Sequence, residues 1–249
     1  MFSSRNLATV IMAAGKGTRM KSDLPKVLHL VNGQPMIFHV IKLSKAIGSE
    51  RIILILGHKK ELMIDSIKYE GVEYVIQEPQ LGTGHAVQQT EPLLKDFTGD
   101  VLVLSGDVPL LKKSTISKLV KLHHQTNAGA TVLTAVLENP FGYGRVIRKK
   151  DNTMDKIVEE KDCSDEQRKI NEINAGIYIF QAKALFKALN KINNDNQQGE
   201  YYLPDTLKHI AENGKSIALH ISAEPIEISG VNSIEQLNKI NLIYKKWYG

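Results

Sequence analysis

Leu7-Ala8-Thr9-Val10-Ile11-Met12 runs directly into Ala13-Ala14-Gly15-Lys16-Gly17-Thr18-Arg19-Met20: an apolar segment of strand length, a glycine turn, then cations at Arg19 and, past Pro25, Lys26. Glycines let backbone N–H groups approach a ligand closely, and successive amides in such a turn form an anion-binding concavity. Arg and Lys supply countercharge for phosphates. The stretch therefore reads as a strand delivering a nucleotide triphosphate loop to the rim of an α/β sheet. Spacing separates it from two other phosphate loops. No window supplies G-x-x-x-x-G-K-[ST], and the dinucleotide pattern G-x-G-x-x-G fails at Met20. Gly57-His58-Lys59-Lys60, ending the next apolar run, offers no acid for a ribose, which disfavours a nicotinamide-dependent oxidoreductase. A plain tight turn would have no use for two cations flanking Pro25.

Working outward, the first half alternates. Leu7–Ala13, Arg51–Gly57, Val72–Gln77 and Asp100–Ser105 are strand-length apolar runs, with helical periodicity near 36–47, 59–68, 83–95 and 115–125. In the last, Ile116, Leu119, Val120 and His123 share a face, and Ser114 is the expected N-cap. Such alternation predicts right-handed crossovers and a Rossmann-like, mixed but mostly parallel sheet flanked by helices. Ligands of such sheets bind beyond the carboxyl ends of the strands, where the glycine loop, Gln77-Glu78 and Gly106-Asp107 all fall. The second half changes character. Strand patterns at Ala130–Leu137, Arg145–Arg148, Lys156–Glu160 and Ile173–Phe180 suggest antiparallel additions. Helices near 182–190 and 203–212, short strands at 216–221 and 226–229, and a helix from Ser233 follow, with polar, mobile loops at 161–172 and 193–200. No repeat or linker interrupts the chain. The expected division is one domain over 1–232, its nucleotide half about 1–110 and its substrate half about 111–232, followed by a helix over 233–249.

Composition narrows the function classes. The 249 residues, 42% hydrophobic and 24% charged, are ordinary for a globular protein. The single cysteine, Cys163, sits among charges, reads as a surface thiol and excludes an internal disulfide framework, which suits a reducing cytoplasm. A net charge of +5 favours anionic small molecules, but the cations are scattered, so neither nucleic acid nor membrane is an expected partner. Asp107, at the end of Val101-Leu102-Val103-Leu104-Ser105-Gly106, can meet a triphosphate-bound Mg²⁺, or can simply open the turn before Pro109. Asn232 could complete a hard-metal site or cap the last helix.

Together these residues resemble the sugar-1-phosphate nucleotidyltransferases, and within them the N-acetylglucosamine-1-phosphate uridyltransferase domain. Carrying the resemblance are the glycine turn with Pro25-Lys26-Val27-Leu28-His29, then Gln77-Glu78-Pro79-Gln80-Leu81-Gly82-Thr83-Gly84-His85-Ala86 and Gly106-Asp107-Val108-Pro109-Leu110. Further matches are Gly142-Tyr143-Gly144-Arg145, Ile157-Val158-Glu159, Asn174-Ala175-Gly176, Gly199-Glu200-Tyr201-Tyr202 and Gly230-Val231-Asn232, in family order over nearly the whole chain. The resemblance implies that Ala13, Ala14, Gly15 and Gly17 line a nucleotide whose uracil is read by Gln77, Gly82 and Thr83. Gly144, Glu159 and Asn174 would hold the amino sugar and ribose, with Ser105 and Asn232 also on the substrate side. Asp107 and Asn232 would ligate Mg²⁺, and Arg19 and Lys26 would stabilise the triphosphate. His85 is expected to be structural.

Two departures follow. Ser105 stands where the family often has tyrosine, and the chain reaches Gly249 without the hexapeptide repeats of the left-handed β-helix acetyltransferase domain. Acetyl transfer and a trimer-forming surface are therefore expected to be absent, leaving a monomer or weak homo-oligomer acting on UTP and N-acetylglucosamine 1-phosphate. Guanylyl transfer, another sugar, or a non-catalytic nucleotide-sugar-binding domain are the competing readings.

Overall fold

Strands at the centre of a sheet covered on both faces must be apolar throughout, and the first-half runs obey that rule. The computed structural model describes residues 6–248; Met1 and Gly249, the outer limits of the expected division, lie outside the described residues. β1 (Leu7–Met12) leads through the glycine turn to a short hairpin, β2 (Leu30–Val31) and β3 (Gln34–Pro35). Then come α1 (Met36–Ala46), β4 (Arg51–Leu56), α2 (Lys60–Ile67), β5 (Glu73–Ile76), α3 (Thr83–Gln88), α4 (Glu91–Leu94), β6 (Asp100–Ser105) and α5 (Lys113–Thr126). The second half adds β7 (Ala130–Val136), β8 (Arg145–Arg148), β9 (Met154–Val158), α6 (Asp165–Arg168), β10 (Glu172–Gln181), α7 (Ala182–Leu189), α8 (Thr206–Glu212), β11 (Ile217–Ile221) and α9 (Ile234–Tyr248).

One nine-stranded sheet runs β11-β7-β10-β6-β1-β4-β5, with β8 on β10 and β9 on β8. Along that path only β10 runs against the rest, being antiparallel to both β6 and β7. Side chains of β1 alternate between two cores. Ile11 packs with Ile37 and Ile41 of α1 and Ile116 and Leu119 of α5, whereas Val10 packs with Val87 of α3, Leu185 of α7 and Leu207 of α8. A third cluster joins Met20 of the glycine turn and Met36 to Val231, Leu237 and Ile240, so α9 packs against the glycine turn. Among the described residues no helix is long and apolar enough to cross a membrane.

Several local expectations give way. The helix expected over 83–95 breaks in two, because Pro92 lacks the N–H a continuing helix needs but suits the first turn of a new one. Ser114 is not a cap: α5 begins one residue before it, and the buried Glu227 carboxylate accepts from Lys112 N at 3.3 Å and Thr115 Oγ1 at 2.6 Å. The strand expected at 226–229 is a 3₁₀ turn, Pro225–Ile228. The polar loop 161–172 contains α6, closed by a reciprocal capping box between Ser164 and Gln167. Cys163 is buried rather than exposed, its Sγ donating to Val158 O at 3.5 Å.

Candidate active site

Parallel register sets the site at the carboxyl edge. Met12 lies level with Ile55 and Ser105. Past that line Ala13 N donates to Ile55 O at 2.9 Å, Gly106 N to Met12 O at 2.9 Å and Gln77 N to Leu56 O at 2.8 Å. Four chain segments therefore leave the sheet at one height, around two adjoining cavities.

The first cavity, about 450 Å³, is lined by Ala13, Ala14, Gly15, Lys26, Gln77, Gly82, Thr83, Ser105 and Asp107. The second, about 300 Å³, is lined by Arg19, Gly144, Glu159, Asn174 and Asn232, and it shares Met12, Thr83, Ser105 and Asp107 with the first. Every site residue expected from sequence thus borders a cavity except Gly17. That glycine sits at φ +60, where an added Cβ would lie 2.8 Å from Lys26 Cβ, so it shapes the turn beneath Lys26 instead of lining the space. Arg19 also differs in place: it is exposed at the second cavity, whereas Lys26 borders the first.

Asp107 is the junction. Its Oδ1 accepts from Ser105 Oγ at 2.6 Å, and its Oδ2 pairs with Lys26 Nζ. Lys26 Nζ also donates to Asn232 Oδ1 at 3.0 Å. Asn232 is therefore turned into the site rather than capping α9; Ser233 Oγ accepts from Gln236 N at 3.2 Å in that role. Val231 N donates to Asp107 O at 3.0 Å, and the absence of a side chain at Gly230, whose Cβ would stand 3.3 Å from Asp107 Oδ2, permits the approach. An ammonium seated between a carboxylate and an amide oxygen marks a cation position, and the all-oxygen donor pair fits Mg²⁺. Among the described residues no three His, Cys, Asp or Glu side chains form a cage for a metal. A divalent ion held by Asp107 and Asn232 would need water and phosphate oxygens to complete its shell.

On the first-cavity side Gln77 is buried and braces the wall. Its Nε2 donates to Gly82 O at 2.9 Å and lies 3.2 Å from His85 Nδ1. Burial lowers the His85 pKa. Gly82, at φ +103, lies so close to Tyr201 that a Cβ would meet its carbonyl at 2.6 Å. Thr83 Oγ1 accepts from Leu203 N at 3.0 Å, tying the same wall to the second half of the chain.

On the second-cavity side Asn174 is buried, with one bond at each polar atom of its side chain. Its Nδ2 donates to Tyr178 Oη at 2.6 Å and its Oδ1 accepts from Gly176 N at 3.0 Å, across a bulge in β10. Glu159, at the end of β9, is no solvated charge. Burial, then the nearby charges of Asp205, Asp162 and Glu200, raise its pKa to about 7. Gly144 leaves room for it: a Cβ there would press 3.2 Å from Glu159 Oε1. Sequence reasoning missed Tyr178, Phe141 and Tyr143 as wall residues. The two aromatics beside Gly142 and Gly144 were the available signal; Tyr178 lies within an apolar strand run and gave none.

Residues 8–224 match the nucleotidyl transferase family. The bifunctional protein GlmU of Prochlorococcus marinus strain NATL2A is 47% identical over 235 residues, covering 94% of this chain and 52% of that protein. GlmU of Lactococcus lactis subsp. lactis strain IL1403 is 44% identical over 241 residues, covering 97% of this chain and 52% of that protein. The chain spans about half the length of these curated relatives. The crystal structure of UDP-glucose pyrophosphorylase complexed with UDP-glucose is similar with a TM-score of 0.76 at 19% identity, over 97% of this chain and 99% of that one, a likeness of fold.

Proposed function

This chain belongs to the nucleotidyl transferase family, and from that premise we propose that it transfers a uridylyl group from UTP to N-acetylglucosamine 1-phosphate, giving UDP-N-acetylglucosamine and pyrophosphate. The observation that carries the reading is the meeting of two cavities at Asp107, with Lys26 on one side and Arg19 on the other. The relatives named GlmU support the choice of base and sugar.

In this reading the nucleotide lies in the first cavity, its base against the wall braced by Gln77 and Gly82. The sugar lies in the second, among Gly144, Glu159 and Asn174. A phosphate oxygen of the sugar 1-phosphate attacks the α-phosphorus of UTP in line. The new P–O bond forms as the bond to the bridging oxygen breaks, and pyrophosphate leaves with that electron pair. A phosphate monoester is already ionised near neutral pH, so no general base is needed. Catalysis is positioning and charge neutralisation. Lys26 and Arg19 stabilise charge on the phosphates, and Ser105 orients Asp107. Asp107 and Asn232 would hold Mg²⁺, which supplies further neutralisation of the phosphate oxygens when bound.

Pyrophosphate release from UTP, GTP, CTP and dTTP against N-acetylglucosamine 1-phosphate, glucosamine 1-phosphate and glucose 1-phosphate, with and without Mg²⁺, tests the reading. Turnover should require Mg²⁺ and favour UTP with N-acetylglucosamine 1-phosphate. Preference for another pair would reassign the substrates. Nucleotide-sugar binding with no turnover under any combination would remove the enzymatic role.

A further inference from the structure

Arg145 is 2% exposed and heads the fully buried side chains by volume among the described residues. It opens β8, one residue after Gly144. Its Nη1 donates to Tyr143 O. Its Nη2 lies 2.9 Å from Glu160 Oε2 and 3.5 Å from Arg168 O. Its Nε has no partner. Glu160 Oε2 also accepts from Gly142 N at 3.0 Å. One guanidinium and one carboxylate therefore grip the backbone at Gly142 and Tyr143 and pull that loop toward the start of the segment after β9.

A buried ion pair is a poor source of stability, since desolvation offsets most of its Coulomb gain and an apolar pair of similar volume often does as well. What it does supply is geometry, because a guanidinium fork fixes the direction of each acceptor. Here one acceptor, Tyr143 O, and one donor, Gly142 N, belong to a loop otherwise held by Tyr143 N on Pro140 O at 3.2 Å, Phe141 N on Asn139 Oδ1 at 3.2 Å and, at its end, Asn174 N on Gly144 O at 2.9 Å. Residues 141–144 lie between β7 and β8, and Gly142 sits at φ +87, where a Cβ would face open space with no atom within 4 Å. That segment forms one wall of the second cavity, and Glu160 adjoins Glu159, which forms another part. Against the burial of Glu160, the Gly142 amide and the Arg145 charge keep its carboxyl ionised, so the grip persists at neutral pH.

We propose that Arg145 and Glu160 are positioning residues: a charged clasp that sets the shape of the second cavity, and so the affinity for the sugar 1-phosphate, without touching the substrate. This rests on the two-cavity reading of the reaction. Glu160→Gln keeps the size and an acceptor oxygen but removes the charge, and Arg145→Lys keeps the charge but removes the fork.

Both variants should raise KM for the sugar 1-phosphate about tenfold or more, leave KM for UTP within about twofold, and change kcat less than the sugar KM. Hydrogen exchange read without substrates should quicken in peptides over 139–146 and stay unchanged over 77–84. An unchanged sugar KM, or equal rises in both KM values with general loss of exchange protection, would overturn the clasp. Should the wild type turn over no sugar 1-phosphate, the proposed function fails, and the exchange measurement alone still decides the clasp: faster exchange confined to 139–146 supports it, and none refutes it.

Discussion

Replacing Glu159 with glutamine should abolish a pH dependence that the wild-type fold carries. Glu159 is buried in the second cavity beside Asp205, Asp162 and Glu200, and its pKa moves from 4.5 to about 7. Among the described residues it has no cationic partner to offset this. The folded carboxyl therefore holds its proton over a range where the unfolded chain has released it. Stability from this group is full below the unfolded value, and is lost as pH rises through the folded one. At about 1.4 kcal/mol per pH unit of separation, the loss comes to about 3 kcal/mol. Urea unfolding of the wild type and Glu159→Gln at pH 5, 6, 7 and 8 reads it directly. The wild type should lose about 2.5 kcal/mol relative to the variant across that range, most steeply between pH 5 and 7. Parallel profiles would refute the reasoning, as would a wild type that gains on the variant as pH rises.

Three further outcomes follow from single contacts. Gly82→Ala must strain a backbone at φ +103 and drive a methyl to 2.6 Å from Tyr201 O; KM for UTP should rise at least about tenfold in steady-state assays, and a near-normal value would show the wall yields freely. Lys26→Ala removes the cation between Asp107 and Asn232; kcat should fall on the order of a hundredfold or more while KM for the sugar 1-phosphate changes little, and unchanged turnover would contradict its role. Ile240→Ala opens the cluster that seats Met20 and Val231; denaturation should show a loss of about 2–4 kcal/mol, and a negligible loss would mean α9 does not support the glycine turn.

The legible parts of the sequence were those where one local rule decides. β1, β4 and β6 are covered on both faces, so unbroken apolar runs announced them. Glycine spacing announced the turn after β1, where Gly17 takes φ +60. The failures have two physical forms: a proline reset the backbone locally, or a distant group supplied what local sequence was assumed to supply. Ser114 is a good cap by type, yet α5 starts one residue earlier, and Glu227 from a remote 3₁₀ turn holds that start through Lys112 N and Thr115 Oγ1. Ile226 and Ile228 alternate as in a strand, but Pro225 withholds a donor and starts a tighter turn. Nothing in the local sequence marks Arg145 and Glu160 as an ion pair; only the return of β10 beside β8 closes that space.

The one strand reversed along the main path of the sheet, β10, explains why the site lies at a junction. A wholly parallel sheet would give a nucleotide a crevice at its carboxyl edge and little beyond it. By running back between β6 and β7, β10 brings Asn174 and Tyr178 alongside Ser105 and Asp107, so a second cavity opens against the same edge. The chain then needs one more element to seal the meeting point. The segment before α9 provides it, with Val231 N bonded to Asp107 O and Asn232 turned toward Lys26. Asp107 is thus fixed by groups from the start, the middle and the end of the chain. A partly folded molecule that forms only the residues up to β6 and Asp107 would present Lys26 and Asp107 without Asn232, so these three side chains meet only when the segment before α9 is in place.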